Sequence, residues 1–257
     1  MARPTLVESA LRHERSVLVV TLIAIPAICW IWIVVMARDM YGPMSGPSAW
    51  MMTPVWDAPH LILLWAMWAV MMAGMMLPSA APILLLYGGA ARNRDGTHGV
   101  LRVYALAGGY LLVWALFSMG ATLLQRLLAT RLLLTPMMEP ATPVAGALVL
   151  VVAGLYQLTP LKRVCLQTCR SPVAFLTRHW RTGAGGAFRM GMDHGTYCLG
   201  CCWALMLVLF AGGVMNLAVI LALTAWVVVE KIAPFGEQSA RLSGALLLGA
   251  AAWMLLR

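Results

Sequence analysis

Five of the six cysteines lie in two short groups, and their spacing indicates metal chemistry. Cys165 and Cys169 are spaced C-x3-C, and Cys198, Cys201 and Cys202 are spaced C-x2-C-C. On a helix, side chains three or four residues apart share a face, so each group can converge on one point. Soft sulfur ligands select Cu(I) or Zn²⁺ over Mg²⁺ or Ca²⁺. We predict one shared metal site, with copper(I) favoured and zinc as the alternative.

Three further features bear on the chemistry of the cysteines. His194 precedes Cys198 by four residues, and it is a candidate to complete the coordination sphere. The helix carrying Cys198 is expected to begin at Tyr197, where the positive end of the helix dipole would favour the thiolate. Cysteine is also a small hydrophobic residue, and core packing is the preferred interpretation for Cys29, which stands alone in an apolar run.

Methionines form a regular stripe in the second apolar run. Met67, Met71 and Met75 recur every fourth residue, and this spacing places them on one face of a helix. Thioethers are Cu(I) ligands, so the stripe predicts a path for copper. Core packing is the alternative, because methionine fills irregular gaps. Other methionines lie between the apolar runs, namely Met44, Met51, Met52, Met137 and Met138.

The composition excludes an ordinary soluble domain. Hydrophobic residues make up 62% of the 257 residues and charged residues only 11%, against about 45–50% and 25% in soluble proteins. So few charges cannot cover a surface in water, and we therefore expect lipid as the solvent and membrane lipids as partners. The net charge of +9 is explained by membrane orientation, so no nucleic-acid partner is expected.

Seven apolar runs predict an all-α, polytopic transmembrane helix bundle. They are residues 17–37, 60–80, 103–124, 143–158, 197–214, 217–229 and 244–256. The last two runs are short, so six spans is the alternative. We interpret the first run as an uncleaved anchor. The chain then divides into a cytoplasmic N-terminal segment, residues 1–16, and a transmembrane domain, residues 17–257.

The basic residues indicate the orientation of the bundle. With the N-terminus in the cytoplasm, the inner segments hold 14 of the 18 Lys and Arg residues and the outer segments hold four. Basic residues concentrate on the cytoplasmic side of membrane proteins. We therefore expect a multi-pass protein of the inner (cytoplasmic) membrane, with a methionine-rich outer loop at 38–59 and a cysteine-rich, basic inner loop at 159–196.

Four longer motifs extend through most of the chain. They are Met71-MAGMMLPSAAP, Tyr156-QLTPLKRVCLQTCRSP, Gly191-MDHGTYCLGCCWALM, and Gly213-VMN with the later Glu230-Lys231. With these motifs the chain resembles a bacterial domain-of-unknown-function family of predicted metal-binding integral membrane proteins. The pieces Cys-Leu-Gly-Cys-Cys-Trp and Tyr-Gln-Leu-Thr-Pro-Leu-Lys are the most specific. The resemblance covers about residues 60–235, and it implies a bacterial membrane location and metal binding.

Together these patterns predict an integral membrane protein that handles copper, as a transporter or as a donor for cuproenzyme assembly. A soluble metallochaperone or a cuproenzyme is the expected protein partner. The sequence has no G-x4-G-K-[ST] nucleotide-binding loop, so any transport would be secondary or driven by a partner. A binding or transport role is preferred over an enzymatic one. Two alternatives are a membrane thiol-disulfide oxidoreductase and a subunit of a complex with a structural zinc site.

Overall fold

Helices make up the regular structure of the described part of the chain, as the apolar runs predicted. The computed structural model describes residues 6–42, 44, 47–53, 56–95 and 99–256. Within these residues the helices are α1 (Leu6–Met40), α2 (Pro47–Met51), α3 (Ala58–Asp95), α4 (Gly99–Thr130), α5 (Pro143–Gln157), α6 (Pro160–Arg170), α7 (Pro172–His179), α8 (Gly183–Gly212), α9 (Leu217–Ile232) and α10 (Gly236–Leu256). The predicted all-α class is confirmed.

Five helices in the described residues are long and apolar enough to cross a membrane. They are α1, α3, α4, α8 and α10. The shorter α5 and α6 meet at 66° and would form a sixth span if they cross together as one bent pair. Helix α9 is strongly apolar but has 16 residues, slightly fewer than a typical span of about 17–25. The structure thus supports five or six spans, and the seventh stays a prediction.

The bend between α5 and α6 is encoded by two residues. Pro160 has no backbone N–H, so it cannot continue α5, but proline is favoured at the first position of a new helix. Thr159 caps that helix, because its Oγ1 accepts a hydrogen bond from the backbone N–H of Lys162 at 3.3 Å. The bend turns α6 towards α8.

Helix α3 continues through the proline at position 78 because another helix satisfies the carbonyl that this proline leaves free. Pro78 cannot donate to the carbonyl of Gly74, four residues earlier. The indole Nε1 of Trp30 on α1 donates to that carbonyl at 3.2 Å instead. This hydrogen bond joins α1 to the middle of the apolar run of α3.

Helix α8 begins at Gly183, well before the expected start at Tyr197. The segment 159–196 is therefore mostly helical, comprising α6, α7 and the first turns of α8. Glycine is a weak helix former, but here it permits close helix packing. A Cβ added at Gly191 would collide with the backbone of α4, and one at Gly109 of α4 would collide with the backbone of α8. Such small residues let membrane helices approach closely.

Helix α9 packs against α8 and carries two charged residues back towards the middle of α8. Asn216 caps the start of α9, since its Oδ1 accepts from the backbone N–H of Ala218 at 3.1 Å. The turn before it contains Gly213 at φ 90°, a conformation that glycine adopts readily. At its far end α9 brings Glu230 and Lys231 into the buried interior.

Candidate metal centre

The structure brings four of the five candidate cysteines together. The Sγ atoms of Cys198, Cys201 and Cys202 all lie within 4.8 Å of one another, and the three residues are buried. The Sγ atoms of Cys201 and Cys202 are 3.2 Å apart. Cys169 of α6 adds a fourth sulfur, at 3.8 Å from the Sγ of Cys201. We refer to these four residues as the cysteine cluster.

The size and chemistry of the cysteine cluster fit one soft metal ion. Two sulfurs bound to the same ion lie at most about 4.6 Å apart when each bond is about 2.3 Å, as it is for Zn²⁺. The sulfur spacing in the cluster is comparable. Thiolates suit both Cu(I) and Zn²⁺, and all six cysteines of the chain are free thiols.

Cys165 packs beside the cysteine cluster, on the side of Gly200. A Cβ added at Gly200 would lie 2.7 Å from the Sγ of Cys165, so α6 and α8 touch at this glycine. Neither Cys165 nor Cys169 belongs to the group of three within 4.8 Å of one another, but the Sγ of Cys169 lies 3.8 Å from that of Cys201, whereas Cys165 faces Gly200. The five residues expected to form one site thus divide into four clustered thiols and one neighbouring thiol.

A buried lysine places a positive charge beside the cluster. The Nζ of Lys231 donates hydrogen bonds to the Sγ of Cys198 and the Oγ of Ser79, each at 2.9 Å. Lysine next to a cysteine favours the thiolate, which is the form that binds metals.

From the sequence alone, that positive charge is expected from the N-terminus of the helix that carries Cys198. This expectation is wrong. Helix α8 begins at Gly183, which places Cys198 about 22 Å along the helix at 1.5 Å per residue. The helix dipole acts only within the first turn, so Lys231 provides the local positive charge instead.

A second buried lysine is paired with a carboxylate. The Nζ of Lys162 lies 2.6 Å from the Oε2 of Glu230, and both side chains are only 1% exposed. Lys162 also donates to the backbone carbonyl of Cys201 at 2.5 Å. Three other side chains donate to the Oε1 of Glu230 at 3.1–3.2 Å, namely Gln157, Trp226 and Ser243. This network joins four helices to the turn of α8 that bears the cysteines.

These lysines and Glu230 are candidate functional residues that the cysteine spacing did not reveal. The sequence signal was present, since ionisable residues within apolar segments are functional candidates by default. Their pairing was not readable from the sequence. Glu230 and Lys231 are adjacent in the chain but have different partners. Glu230 pairs with Lys162 on α6, and Lys231 contacts Cys198 on α8.

His194 lies next to the cluster with an unsatisfied ring nitrogen. Its side chain is buried, and its Nδ1 has no hydrogen-bond partner among the described residues. The ring stacks on Tyr110 at a centroid distance of 5.9 Å, and the Tyr110 hydroxyl lies 3.0 Å from the Sγ of Cys198. A buried polar atom without a partner is costly, so His194 remains a candidate ligand.

A cavity of about 200 Å³ adjoins the cluster. The polar and ligating side chains that line it are Ser79, Cys169, Arg170, His194 and Lys231. Cys169 is partly exposed, whereas the other three cluster thiols are buried. The cavity therefore lies between the cluster and the surface at the end of α6.

The methionine stripe lies in the core. Met67, Met71 and Met75 are each 0% exposed and lie on α3, the helix that presents Ser79 to Lys231. Such burial is typical of core packing. A path for a soft ion that excludes water would also need buried methionines, so burial does not separate the two interpretations.

Taken together, these features define an all-helical protein with a buried thiol centre suited to a soft metal, carried on helices apolar enough to cross a membrane. The chain belongs to the PpoB2 copper chaperone family, whose family model matches residues 65–254. That range contains the whole cysteine cluster and both buried lysines, and it supports the metal-binding family membership that the motifs predicted. No curated protein and no solved structure shows a significant match.

Proposed function

We propose that this protein binds Cu(I) at the cysteine cluster and hands it to a cuproenzyme or to a soluble metallochaperone. The observation that carries the proposal is the approach of three thiols to within 4.8 Å of one another, with the Lys231 ammonium 2.9 Å from one of them. Membership of a copper chaperone family favours copper over other soft metals.

The charges of the site suit a thiolate-bound Cu(I). Lys162 and Glu230 form a neutral pair, which leaves the positive charge of Lys231 beside Cys198. A Cu(I) ion held by the four cluster sulfurs, two of them as thiolates, carries one negative charge, so Lys231 would bring the buried site to neutrality. A buried charge without such a partner is strongly unfavourable.

We further propose that the apolar helices lie in a bacterial inner membrane, with the N-terminus and the cysteine cluster towards the cytoplasm. The separation of basic residues, 14 inside and four outside, supports this orientation. In this arrangement the stripe formed by Met67, Met71 and Met75 extends along α3 from the opposite side towards the cluster. The cytoplasmic end of the path is the cavity beside Cys169.

Elemental analysis of the protein, purified under reducing conditions, tests the proposed function. We expect bound copper, because the family match and the soft sulfur ligands both favour it. Zinc in place of copper would favour a structural site, for which a Cys₄ set is typical. Reversible thiol oxidation in a protein that holds no metal would favour the oxidoreductase alternative.

The triple variant Met67→Leu, Met71→Leu, Met75→Leu tests the path. Leucine keeps the volume and removes the sulfur, and such swaps usually cost less than about 1.5 kcal/mol each, so the variant should fold. We expect transfer of Cu(I) across proteoliposomes to slow by more than about tenfold, the effect of about 1.4 kcal/mol on a barrier. The affinity of the cysteine cluster should not change, because its ligands are intact.

The matched control replaces two buried methionines outside the stripe, Met206→Leu and Met215→Leu. Transfer in the control should equal that of the wild type. Equal transfer in the triple variant as well would assign the stripe to core packing.

A further inference from the structure

The cavity beside the cysteine cluster has cationic walls. Its volume is about 200 Å³, and Arg170 of α6 and Lys231 of α9 line it together with Cys169 and His194. None of the described residues that line it is acidic. We refer to it as the cationic cavity. Its charge suits a negatively charged ligand, and one thiol of the cysteine cluster forms part of its wall.

The positive charge of Arg170 is not neutralised by a carboxylate. Its Nη2 donates hydrogen bonds to the backbone carbonyls of Ala233 and Pro234, at 2.5 and 3.1 Å. No acidic side chain in the described part of the chain forms an ion pair with it. The carbonyl oxygens orient the guanidinium but carry no formal charge, and arginine stays protonated in proteins. Its charge is therefore available to an anion in the cationic cavity.

His194 gives the cationic cavity a polar atom that lacks a partner. The residue is only 4% exposed, and its Nδ1 has no hydrogen-bond partner among the described residues. Leaving a buried polar atom unsatisfied is unfavourable. A ligand with a polar group in the cavity would satisfy this nitrogen, so His194 points to a bound ligand independently of the charges.

The volume of the cationic cavity limits the size of that ligand. Pockets for drug-sized molecules have about 300–1,000 Å³, whereas this cavity has about 200 Å³. A very small molecule or a single side chain therefore fits better than a larger compound. Cys169 is partly exposed, whereas the other three cluster thiols are buried. It is thus the cluster sulfur that such a ligand reaches first.

We propose that the cationic cavity binds an external thiolate, which replaces Cys169 on Cu(I) when the ion is released. The inference rests on the proposed function, because it requires Cu(I) at the cysteine cluster. A thiolate combines the negative charge that suits the cationic walls with the soft sulfur that suits the ion. A small thiol and the cysteine side chain of a partner protein share this chemistry.

The exchange balances in bonds, protons and electrons, with Cys198 and Cys169 as the two thiolates of the loaded cluster. A Cu–S bond forms to the incoming sulfur, and the Cu–S bond to Cys169 breaks. The proton of the incoming thiol ends on the sulfur of Cys169. Copper stays Cu(I) throughout, so no oxidant or reductant takes part. While both sulfurs are bound, the site carries one extra negative charge, and Arg170 would offset that charge.

Anaerobic release of Cu(I) to a chromogenic chelator tests the exchange. The copper-loaded protein is mixed with mercaptoacetate, 2-mercaptoethanol or cysteamine, which are small thiols with an anionic, a neutral and a cationic tail. At equal thiolate concentrations we expect release to be fastest with mercaptoacetate and slowest with cysteamine. The rate should also saturate as mercaptoacetate fills the cationic cavity.

Substitutions of Arg170 test whether the cavity itself gives this preference. Arg170→Gln should slow release by mercaptoacetate about tenfold, which corresponds to about 1.4 kcal/mol on the barrier. Arg170→Lys keeps the charge and should retain most of the rate. The matched control is Arg163→Gln, an exposed arginine on the same helix that does not line the cationic cavity. Its release should equal that of the wild type.

A short peptide with one cysteine between acidic residues distinguishes the two sources of the thiolate. Saturable release by the peptide at lower concentrations than by mercaptoacetate would assign the cationic cavity to a cysteine of a partner protein. Saturable release by the small thiols alone would assign it to a small thiol. Both results support an external thiolate as the ligand.

Alkylation of the metal-free protein gives a readout that does not depend on copper. Cys169 should favour iodoacetate over iodoacetamide more strongly than free glutathione does, because iodoacetate is the anionic reagent of the two. Both reagents attack the same thiolate, so the ratio of their rates does not depend on how much thiolate is present. Peptide mass spectrometry assigns the modified cysteine. Arg170→Gln should lower the ratio, and Arg163→Gln should not.

Two results would overturn the proposal without touching Cu(I) binding. One is a copper-loaded protein that releases the ion at the same rate with and without every thiol, or equally fast in Arg170→Gln. The other is an alkylation ratio at Cys169 equal to that of glutathione. A purified protein that binds no copper would instead count against the proposed function, and the alkylation ratio would still test the cationic cavity.

Discussion

Replacing Cys201 and Cys202 together by serine is expected to remove copper from the purified protein. Their sulfurs lie 3.2 Å apart at the centre of the cysteine cluster, and only Cys169 and Cys198 would remain. Loss of a group that merely orients a metal ligand costs about 10–100-fold in affinity, so loss of two ligands should exceed the upper end of that range. Copper content per chain and competition with a Cu(I) chelator measure the effect.

Two single variants serve as matched controls, Cys165→Ser and Cys29→Ser. Cys165 packs on Gly200 beside the cluster. Cys29 lies on α1 and faces Gly74 of α3, where an added Cβ would be 3.0 Å from the Cβ of Cys29. Both variants should retain copper. If Cys165→Ser loses as much copper as the double variant, the metal site contains Cys165, and the division of the cysteines made from the geometry is wrong.

Removing the charge of Glu230 should have the largest effect on stability. The variant Glu230→Gln keeps an amide oxygen as a hydrogen-bond acceptor but leaves the ammonium of Lys162 buried without its partner. Breaking a buried ion pair on one side typically costs about 3–5 kcal/mol. We expect a lower midpoint of thermal unfolding in detergent, together with a lower yield of monodisperse protein.

A partly exposed carboxylate on α10 provides the control for this variant. Glu237 accepts a hydrogen bond from Gln167 at 2.7 Å at the surface, and exposed polar contacts contribute little to stability. Glu237→Gln should therefore unfold close to the wild type. The double variant Lys162→Met, Glu230→Gln should recover part of the loss, because it removes the stranded charge. Equal stability of Glu230→Gln and Glu237→Gln would show that the buried pair contributes nothing.

Much of the local structure follows from short stretches of sequence. The apolar runs predicted the helical class, because a backbone in an apolar solvent must satisfy its hydrogen bonds within the helix. Helix starts at Thr142, Thr159 and Asn216 coincide with capping residues, whose preference depends on neighbouring backbone groups alone. The same local geometry places Cys198, Cys201 and Cys202 on one part of α8.

The glycine-rich segment before the second cysteine group shows where local preference is not sufficient. Intrinsic propensity argues against a helix around residues 183–186, yet α8 begins there. Packing against α4 through Gly191 and Gly195 outweighs that preference, since a side chain at either position would crowd α4. The early start of α8 then removes the helix N-terminus from the metal centre.

The sequence by itself determined the helical class, the capped helix starts and the two groups of candidate sulfur ligands, because each depends on residues within a few turns of one another. Only the tertiary structure decided which distant groups share the centre. Cys165 and Cys169 are one turn apart on α6, yet the second lies 3.8 Å from Cys201 while the first meets Gly200. Likewise Lys231 reaches Cys198 across helices. Such contacts depend on how helices cross and how closely they approach, and side chains from several helices set these together.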